Sequence, residues 1–575
     1  MAKITSVMQW GYICGSDQEA SSLVWPVRFK PAVTAVLVVL GLTVRSPWLL
    51  VAVGGLGILG TFFQKLSWID LLYNHSVRHL FKAPALGPDP SVRRWLCGLA
   101  DFFVLVAGLA LARGHRALAW GFGGLVIFLA GSVVLTGICL PAFLYYKWKG
   151  RKQVNTKIAV ALIVGSVAVG TLVPSRLLAT DGYFDTGYGA KAQGIGGAGV
   201  AFPQDALAPA TNPAGISFVE NRFDVGLEYF RPIRNTEVTG NQAPSNNISY
   251  DASDDKNFFI PSLGFNHQVG DRLNLGVAAY GNGGMNTTYT RNVTLFGSSS
   301  AGIDLEQGFI SPTVSYKVLD NTSLGVALNL AYQRFKATGL ENFAAFPGLS
   351  ASPNQLTDQG YDWSTGIGVR VGWLSKLTPW FSLGATYQSK TWMSRFKEYQ
   401  GLFAGQGSFD IPENYAVGIA VKPISKLTAA VDVERINYSG VASVGNALLP
   451  ALGQSQLGSD SGAGFGWKDV TVEKVGVAYD LNDEWTLRAG YNHTSQPIPS
   501  SETLFNLLAP GVVQDHLTLG TTYKFAKVHE LSFAYTHGFE KTVSGSQSIP
   551  ANFGGGNANI TLYEDSFNIS YGYRF

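Results

Sequence analysis

The sequence predicts a transmembrane β-barrel of 14 antiparallel strands with an N-terminal plug, preceded by an all-α membrane region of about four helices. Three observations lead there. From residue 222 onward the apolar period changes from helical to two, the mark of half-buried strands. The candidate strands number fourteen, an even count, and most exceed the roughly 5–6 residues usual in globular sheets, nearer the roughly 9–11 a membrane strand needs. Their connections alternate short and long, as periplasmic turns and extracellular loops do.

Composition narrows the function classes. Charged residues are 14% of the chain, below the roughly 25% of soluble domains, and the net charge of +3 gives no reason to expect a nucleic-acid partner. Cys14, Cys97 and Cys139 all lie in the first quarter. The cysteine-free remainder suits an oxidising compartment without disulfides, and the absence of a Cys-x-x-Cys pair removes support for thioredoxin-like or zinc-ribbon readings.

Residues 1–150 form the helical region, expected in the inner membrane. Apolar runs within 31–62 flank Arg45-Ser46-Pro47, and runs within 98–146 flank the tip from Arg113 to Arg116. These read as two helical hairpins, although the first is short for a bilayer-spanning pair. Arg28, Lys30, Lys65, Arg78, Lys82, Arg93, Arg94, Lys147, Lys149, Arg151 and Lys152 lie outside the tips, which places both ends of this unit in the cytoplasm. The region also resembles a family of small, uncharacterised four-helix membrane proteins, a likeness that supplies no function. His75 and His79 sit four apart, on one face if helical, but too few ligands accompany them for a metal site; an interfacial amphipathic helix is the expectation.

Residues 151–180 carry basic Lys152 and Lys157, an apolar core over 158–173, Pro174, and a small residue, Ala179, before polar sequence. That is the layout of a secretory signal peptide, here internal, with a fifth helix as the alternative. The chain beyond Thr180 is expected to be exported, and the whole is either a fusion of two units or an exported protein joined to an upstream helical part.

Residues 181–221 are Gly/Ala-rich and are expected to plug the lumen that fourteen strands would otherwise leave open. Gly194, Gly196 and Gly199 satisfy the dinucleotide fingerprint, but Pro203 and Pro209 spoil the helix it requires, so no cofactor is expected. Residues 222–575 make the barrel, with strands at 222–232, 257–268, 272–284, 309–319, 322–337, 362–375, 379–391, 414–423, 426–438, 470–481, 484–495, 515–525, 528–540 and 562–575. The faces agree. Leu324, Val326, Leu328, Leu330 and Tyr332 oppose Gly325, Ala327, Asn329, Ala331 and Gln333; Trp485, Leu487 and Tyr491 oppose Thr486, Arg488 and Asn492. The apolar set meets lipid, the other the lumen, and closure pairs every backbone group. Asp432, Glu434 and Arg488 point inward as solvated lumen charges; no nucleophile elbow accompanies them, and no enzyme is expected.

Several stretches resemble the long-chain fatty-acid and hydrocarbon outer-membrane transporters of the FadL/TodX type, over about 185–575: "GAKAQGIGGAGVAFPQDALAPATNPAG", "FDIPENYAVGIAVKP", "VEKVGVAYDLNDEWTLRAGYNHTSQPIP" and "DHLTLGTTYKF". The resemblance implies a plug, or hatch, whose motif is Asn212-Pro213-Ala214, beside a kink in the third strand where a gap lets an apolar ligand leave sideways. The acidic pair often found ahead of that motif is replaced by Gln204-Asp205. Gly281, Gly283 and Gly284 in strand three fit such a lateral gate, or a flexible strand end. Apolar Leu340, Phe343, Phe346 and Leu349 of loop three and Leu402 and Phe403 of loop four are candidate ligand-capture residues, or a cap of loops folded on one another; Leu448, Leu449, Leu452, Leu504, Phe505, Leu507 and Leu508 continue the pattern. Phe575 resembles the terminal signal read by the barrel-assembly machinery. The implied function is passive uptake of long-chain fatty acids or other hydrophobic compounds by a monomer among outer-membrane lipid and lipopolysaccharide. A general polar porin and a structural or adhesive barrel are the alternatives.

Overall fold

The computed structural model describes residues 17–63, 67–80, 83–86, 89–113, 116–136, 181–448 and 454–575. The expected signal segment 151–180, the end of the fourth apolar run, and Leu449 and Leu452 lie outside them. The chain divides into two compact units, 1–174 and 175–575.

In the first unit the four long described helices are α1 (Asp17–Thr43), α2 (Pro47–Phe62), α3 (Ser91–Ala112) and α4 (Arg116–Thr136). The first tip is built as its sequence dictates. Pro47 opens α2 with no N–H to waste, and the Ser46 hydroxyl caps it by accepting from the Leu49 amide at 3.4 Å. Between α2 and α3 a short helical run holds a π turn at Tyr73–Val77 that carries exposed His75. Among the described residues no cluster of three or more His, Cys, Asp or Glu side chains could hold a metal. By length and composition, the window Pro26–Thr43 of α1 is apolar enough to cross a membrane, while Pro47–Phe62 and Cys97–Ala112 are shorter apolar helices.

The second unit is a closed antiparallel barrel. Its strands are β1 (Arg222–Thr239), β2 (Phe258–Val269), β3 (Leu273–Thr288), β4 (Gly302–Leu319), β5 (Thr322–Thr338), β6 (Asp362–Thr378), β7 (Phe381–Gln388), β8 (Asn414–Ile424), β9 (Leu427–Ile436), β10 (Val470–Asp480), β11 (Trp485–Thr494), β12 (Asp515–Phe525), β13 (His529–Val543) and β14 (Asn557–Arg574). Each pairs with its neighbour, and β14 returns to β1 from Arg222↔Arg574 to Thr239↔Asn557, which closes the sheet on itself. All fourteen expected strands are present. β1, β4, β13 and β14 run further outward than their alternation suggested, because pairing continues past the apolar band into polar sequence that carries no period-two signal.

Side-chain alternation follows the predicted faces. Leu324, Val326, Leu328 and Leu330 are exposed on the outer wall, while Gly325, Ala327, Asn329 and Ala331 are buried inside. An apolar outer face costs nothing in lipid, and closure pairs the wall's backbone except where β2 and β3 part.

The plug needs a berth, and lumen-facing glycines supply it. In cross-strand pairs Gly325↔Gly372, Gly418↔Gly384 and Gly476↔Gly490 they face the hatch midway along their strands. A Cβ on Gly372 would stand 2.0 Å from Asn212 Oδ1, on Gly384 2.5 Å from the Val200 carbonyl, and on Gly476 2.2 Å from the Ile195 carbonyl. Hatch backbone therefore lies directly against barrel backbone.

Candidate functional site: hatch, wall gap and aromatic path

Asn212, Pro213 and Ala214 are all buried. Asn212 caps a 3₁₀ helix, Pro213–Phe218: its Oδ1 accepts from the Ala214 amide at 3.1 Å, while Nδ2 donates to the carbonyls of Val200 at 2.8 Å and Trp373 at 3.0 Å. The Ser323 hydroxyl donates to the Ala214 carbonyl at 2.8 Å. The motif thus knots two hatch segments together and pins them to β5 and β6. It does not lie along the kinked part of β3; a different hatch segment does.

β3 carries a bulge between Gly281 and Gly283, with Asn282 as the extra residue opposite β4. Its ladder with β2 stops at Leu263↔Ala279. Above that point Phe258–Ser262 of β2 pair with β1 alone. The wall closes again higher up, where the Thr288 amide donates to the Ala252 carbonyl and the Asp254 amide to the Thr288 carbonyl, each at 3.1 Å. Between these limits the cylinder has a window. Its inner side is covered by the start of the hatch: Phe184 bridges Gly283, the Gly284 amide donates to the Tyr183 carbonyl at 3.0 Å, and the Asp185 amide to the Asn282 carbonyl at 3.3 Å. A Cβ on Gly283 would sit 2.0 Å from that Tyr183 carbonyl, so glycine is what allows the strip to lie there. Gly281, Gly283 and Gly284 are therefore gathered at the window. Phe230, Phe258 and Ile260 form an apolar cluster on β1 and β2 beside it, and a cavity of about 30 Å³ there is lined by Phe230, Pro232, Met285 and Leu562 with Arg234 and Glu564.

The loop residues are brought together as well. Leu340, Phe343, Leu349, Leu402 and Phe403 are buried in one apolar core that also takes in Leu448, Leu504, Phe505, Leu507 and Leu508, whereas Phe346 is 47% exposed. The loops fold over one another rather than presenting an open groove, because each brings apolar side chains that the others can cover. From there a run of rings descends inside the barrel. Phe403 lies 4.9 Å from Phe409, Phe409 6.3 Å from Tyr183, and Tyr183 5.0 Å from Tyr438, which packs 5.1 Å from Trp467. Tyr183 and Phe184, at the window, are 5.4 Å apart. Phe335 of β5 lies 4.6 Å from Phe403 at the top of this run. Sequence reasoning missed Tyr183, Phe335, Phe409, Tyr438 and Trp467. The available signal was an aromatic at a lumen-facing register position, as at Phe335, two places beyond Gln333.

The lower lumen is polar and buried, not solvated. Asp432 accepts from the Gly199 and Val200 amides at 2.7 and 2.9 Å, and Asp224 from the Ala206 amide at 2.9 Å. Arg222 grips Asp224 with two bonds of 2.7 Å and reaches Glu530 at 2.8 Å, which also pairs with hatch Lys191. Glu434 pairs with Lys474 at 3.0 Å, and Arg488 donates to hatch Gln204 at 2.8 Å. In the hatch itself, burial and then the neighbouring Asp224 push the Asp205 carboxyl up to about 6. Burial and then Glu228 push Asp185 well above the usual carboxylate range, and burial lowers Lys191. At the chain end, Phe575 stacks 6.0 Å from Phe265, and its amide donates to the Asn221 carbonyl at 3.0 Å.

Residues 186–575 match the model of the outer membrane protein transport protein family (OMPP1/FadL/TodX). The chain belongs to that family. Residues 25–149 match a domain of unknown function, DUF4395. Among solved structures, the Pseudomonas putida toluene transporter TodX is 19% identical, covering 68% of this chain and 99% of its own, with a TM-score of 0.52. A Pseudomonas aeruginosa FadL homologue is 18% identical, covering 70% of this chain and all of its own, also at 0.52. These likenesses carry the fold: a closed barrel of fourteen strands. No curated protein matches the chain by sequence. Family and barrel together make residues 186–575 a transport protein of the bacterial outer membrane.

Proposed function

We propose that the barrel is a passive channel for hydrophobic compounds, long-chain fatty acids or aromatic or aliphatic hydrocarbons, which leave sideways through the window between β2 and β3. The observation that carries this reading is the continuous run of rings from Phe403 in loop four to Tyr183 and Phe184 at the window. An apolar solute exchanges one apolar neighbour for the next along it, gaining about 0.8 kcal/mol per CH₂ buried at entry. A polar solute would be stripped of water with nothing to replace it. Loops three and four capture the solute, with exposed Phe346 as first contact and Leu340, Phe343, Leu349, Leu402 and Phe403 forming the apolar cap that parts to take it in; Asn212-Pro213-Ala214 holds the hatch while Tyr183–Asp185 clears Gly281, Gly283 and Gly284.

The barrel acts as a monomer in lipopolysaccharide and phospholipid, is delivered by the assembly machinery through its terminal Phe575, and performs no chemistry on its cargo. Residues 1–150 belong to the inner membrane, 151–180 to an export signal and 181–221 to the hatch. The TodX structure is that of a toluene transporter, which favours including small aromatics among the cargo tested. Uptake of labelled oleate and of toluene is measured in cells with and without residues 180–575, with a sugar as control. Both hydrophobic rates are expected to fall and the sugar rate to stay. An unchanged rate for both would reject the proposal, and a sugar defect alone would favour the porin.

A further inference from the structure

The underside of the barrel carries lysines that neither the window nor the aromatic path uses. Lys317 of β4, Lys376 of β6 and Lys422 of β8 each stand at the end of a strand, in the register that faces the lumen. The backbone fixes them at the rim. The Lys317 amide donates to the Arg272 carbonyl at 2.8 Å, the Lys376 amide to Asn321 at 2.7 Å and the Lys422 amide to Trp380 at 2.8 Å, all acceptors in short turns. Neighbouring strands lie about 4.8 Å apart, so alternate strands set the lysines about 10 Å apart along one arc of the mouth.

The hatch meets this arc through Phe218, the last residue of the 3₁₀ helix that Asn212 caps. Lys376 Nζ stands 4.5 Å and Lys317 Nζ 5.6 Å from the centre of its ring. Lys376 and Lys422 are exposed, and Lys317 is half-buried. The charges that act on Lys376 are those of Lys422 and Lys317, both repulsive. Among the described residues no carboxylate pairs with any of the three. Residues 137–180 and 449–453, which lie outside them, contain no Asp or Glu. Elsewhere in the lower lumen bases are matched: Arg222 by Asp224 and Glu530, Lys474 by Glu434. Three like charges on one arc repel one another, and a bound anion relieves what the ring alone does not.

We propose that Lys317, Lys376 and Lys422, with the Phe218 ring beside them, form a docking site for an acidic peptide segment of a soluble periplasmic partner. Facing selects the class: the lysines look into the mouth and not onto the outer wall, so they meet periplasmic solutes and not lipid headgroups. Their spread over three alternate strands suits several carboxylates on one chain, an extended segment of about six residues at about 3.3 Å each. The chain's own stretch ahead of the hatch is not that occupant, since its charged residues over 137–180, among them Lys147, Arg151, Lys157 and Arg176, are all basic. Because Phe218 belongs to the hatch, a partner seated there touches plug and wall together. This face depends on the barrel's orientation and not on its cargo, so an uptake result leaves it untouched.

The outer-membrane form, purified in detergent from cells that make the full chain, is titrated with fluorescein-labelled hexaglutamate, and binding is read by fluorescence anisotropy with labelled hexaglutamine as control. Hexaglutamate is expected to bind at about 20 mM salt and to weaken severalfold at about 150 mM, while hexaglutamine does not bind. Changing Lys317, Lys376 and Lys422 together to Gln is expected to weaken binding about tenfold or more. Lys524→Gln with Lys527→Gln, which removes charge from the rim at β12 and β13, is expected to leave it within about twofold. Lys376→Gln alone, expected to cost about threefold, keeps the test decisive if the triple variant fails to show heat-modifiable migration. Absence of binding at low salt, or equal losses in the two sets of variants, overturns the proposal. Displacement by inorganic phosphate of equal total charge overturns it in favour of a simple anion site, and displacement by oleate in favour of a cargo site.

Discussion

Asn212 concentrates more of the hatch's attachment than any neighbour, because one amide satisfies three backbone groups from two hatch segments and β6. Asn212→Ala leaves buried carbonyls at Val200 and Trp373 without their donor, at a cost of about 1–3 kcal/mol for each unsatisfied group. The expected outcome is a hatch cleaved faster by added protease in folded, heat-modifiable barrels. Gly372→Val acts from the other side, since its side chain collides with the Asn212 amide and the Pro213 ring. Asp205 sets a pH dependence. Its folded value of about 6 stands above the roughly 3.9 of an unfolded aspartate, so the docked hatch binds the extra proton. That stability is present below about pH 4 and is lost as pH rises through about 6, on the order of 3 kcal/mol in all. Protease protection of the hatch is expected to weaken between about pH 4 and pH 7, and Asp205→Asn, which keeps the neutral form's shape, to flatten that dependence.

β3 shows what a strand can do when one residue is added. Asn282 at the bulge turns the strand inward, its ladder to β2 ends, and the hatch strip takes the vacant backbone groups. Deleting Asn282 is expected to let β3 rejoin β2. The barrel should still show heat-modifiable migration, while oleate and toluene uptake fall about tenfold or more, the effect of a barrier raised by about 1.4 kcal/mol. Normal uptake in a straightened strand would place the exit elsewhere. The position of this irregularity was legible in the glycines at 281, 283 and 284, because glycine inside a strand marks a bulge or close approach. Which hatch residues cover it was not, since Tyr183–Asp185 meet β3 through backbone bonds that leave no side-chain pattern. The lumen charges were misjudged for a related reason. Period two places Asp432, Glu434 and Arg488 inside, but only the plug's path decides whether they meet water or, as here, hatch amides and side chains. Loops three and four were legible as apolar, but the sequence left a ligand groove and a closed cap both open, because burial among loops depends on partners far apart in sequence, such as Phe343 with Phe553 at 5.1 Å.

At the scale of the whole chain, period and loop length determine the barrel because each constraint is local: a strand must alternate, a periplasmic turn must be short, and the last strand must meet the first. The same logic sets how the chain must be processed. The family match begins at residue 186, and Asp181 already pairs with Lys474 at 3.3 Å and accepts from Thr494 at 2.8 Å. A signal segment ending near Thr180 would leave Asp181 and the hatch on the barrel. Mass spectrometry of the outer-membrane species is therefore expected to find an N-terminus close to Thr180. An intact chain of 61.7 kDa in that membrane would mean that the helical unit and the barrel travel together. Placing a bulky charged residue at Ala179 is expected to slow removal of the signal and leave the precursor behind, because the small side chain is what the cleavage step requires.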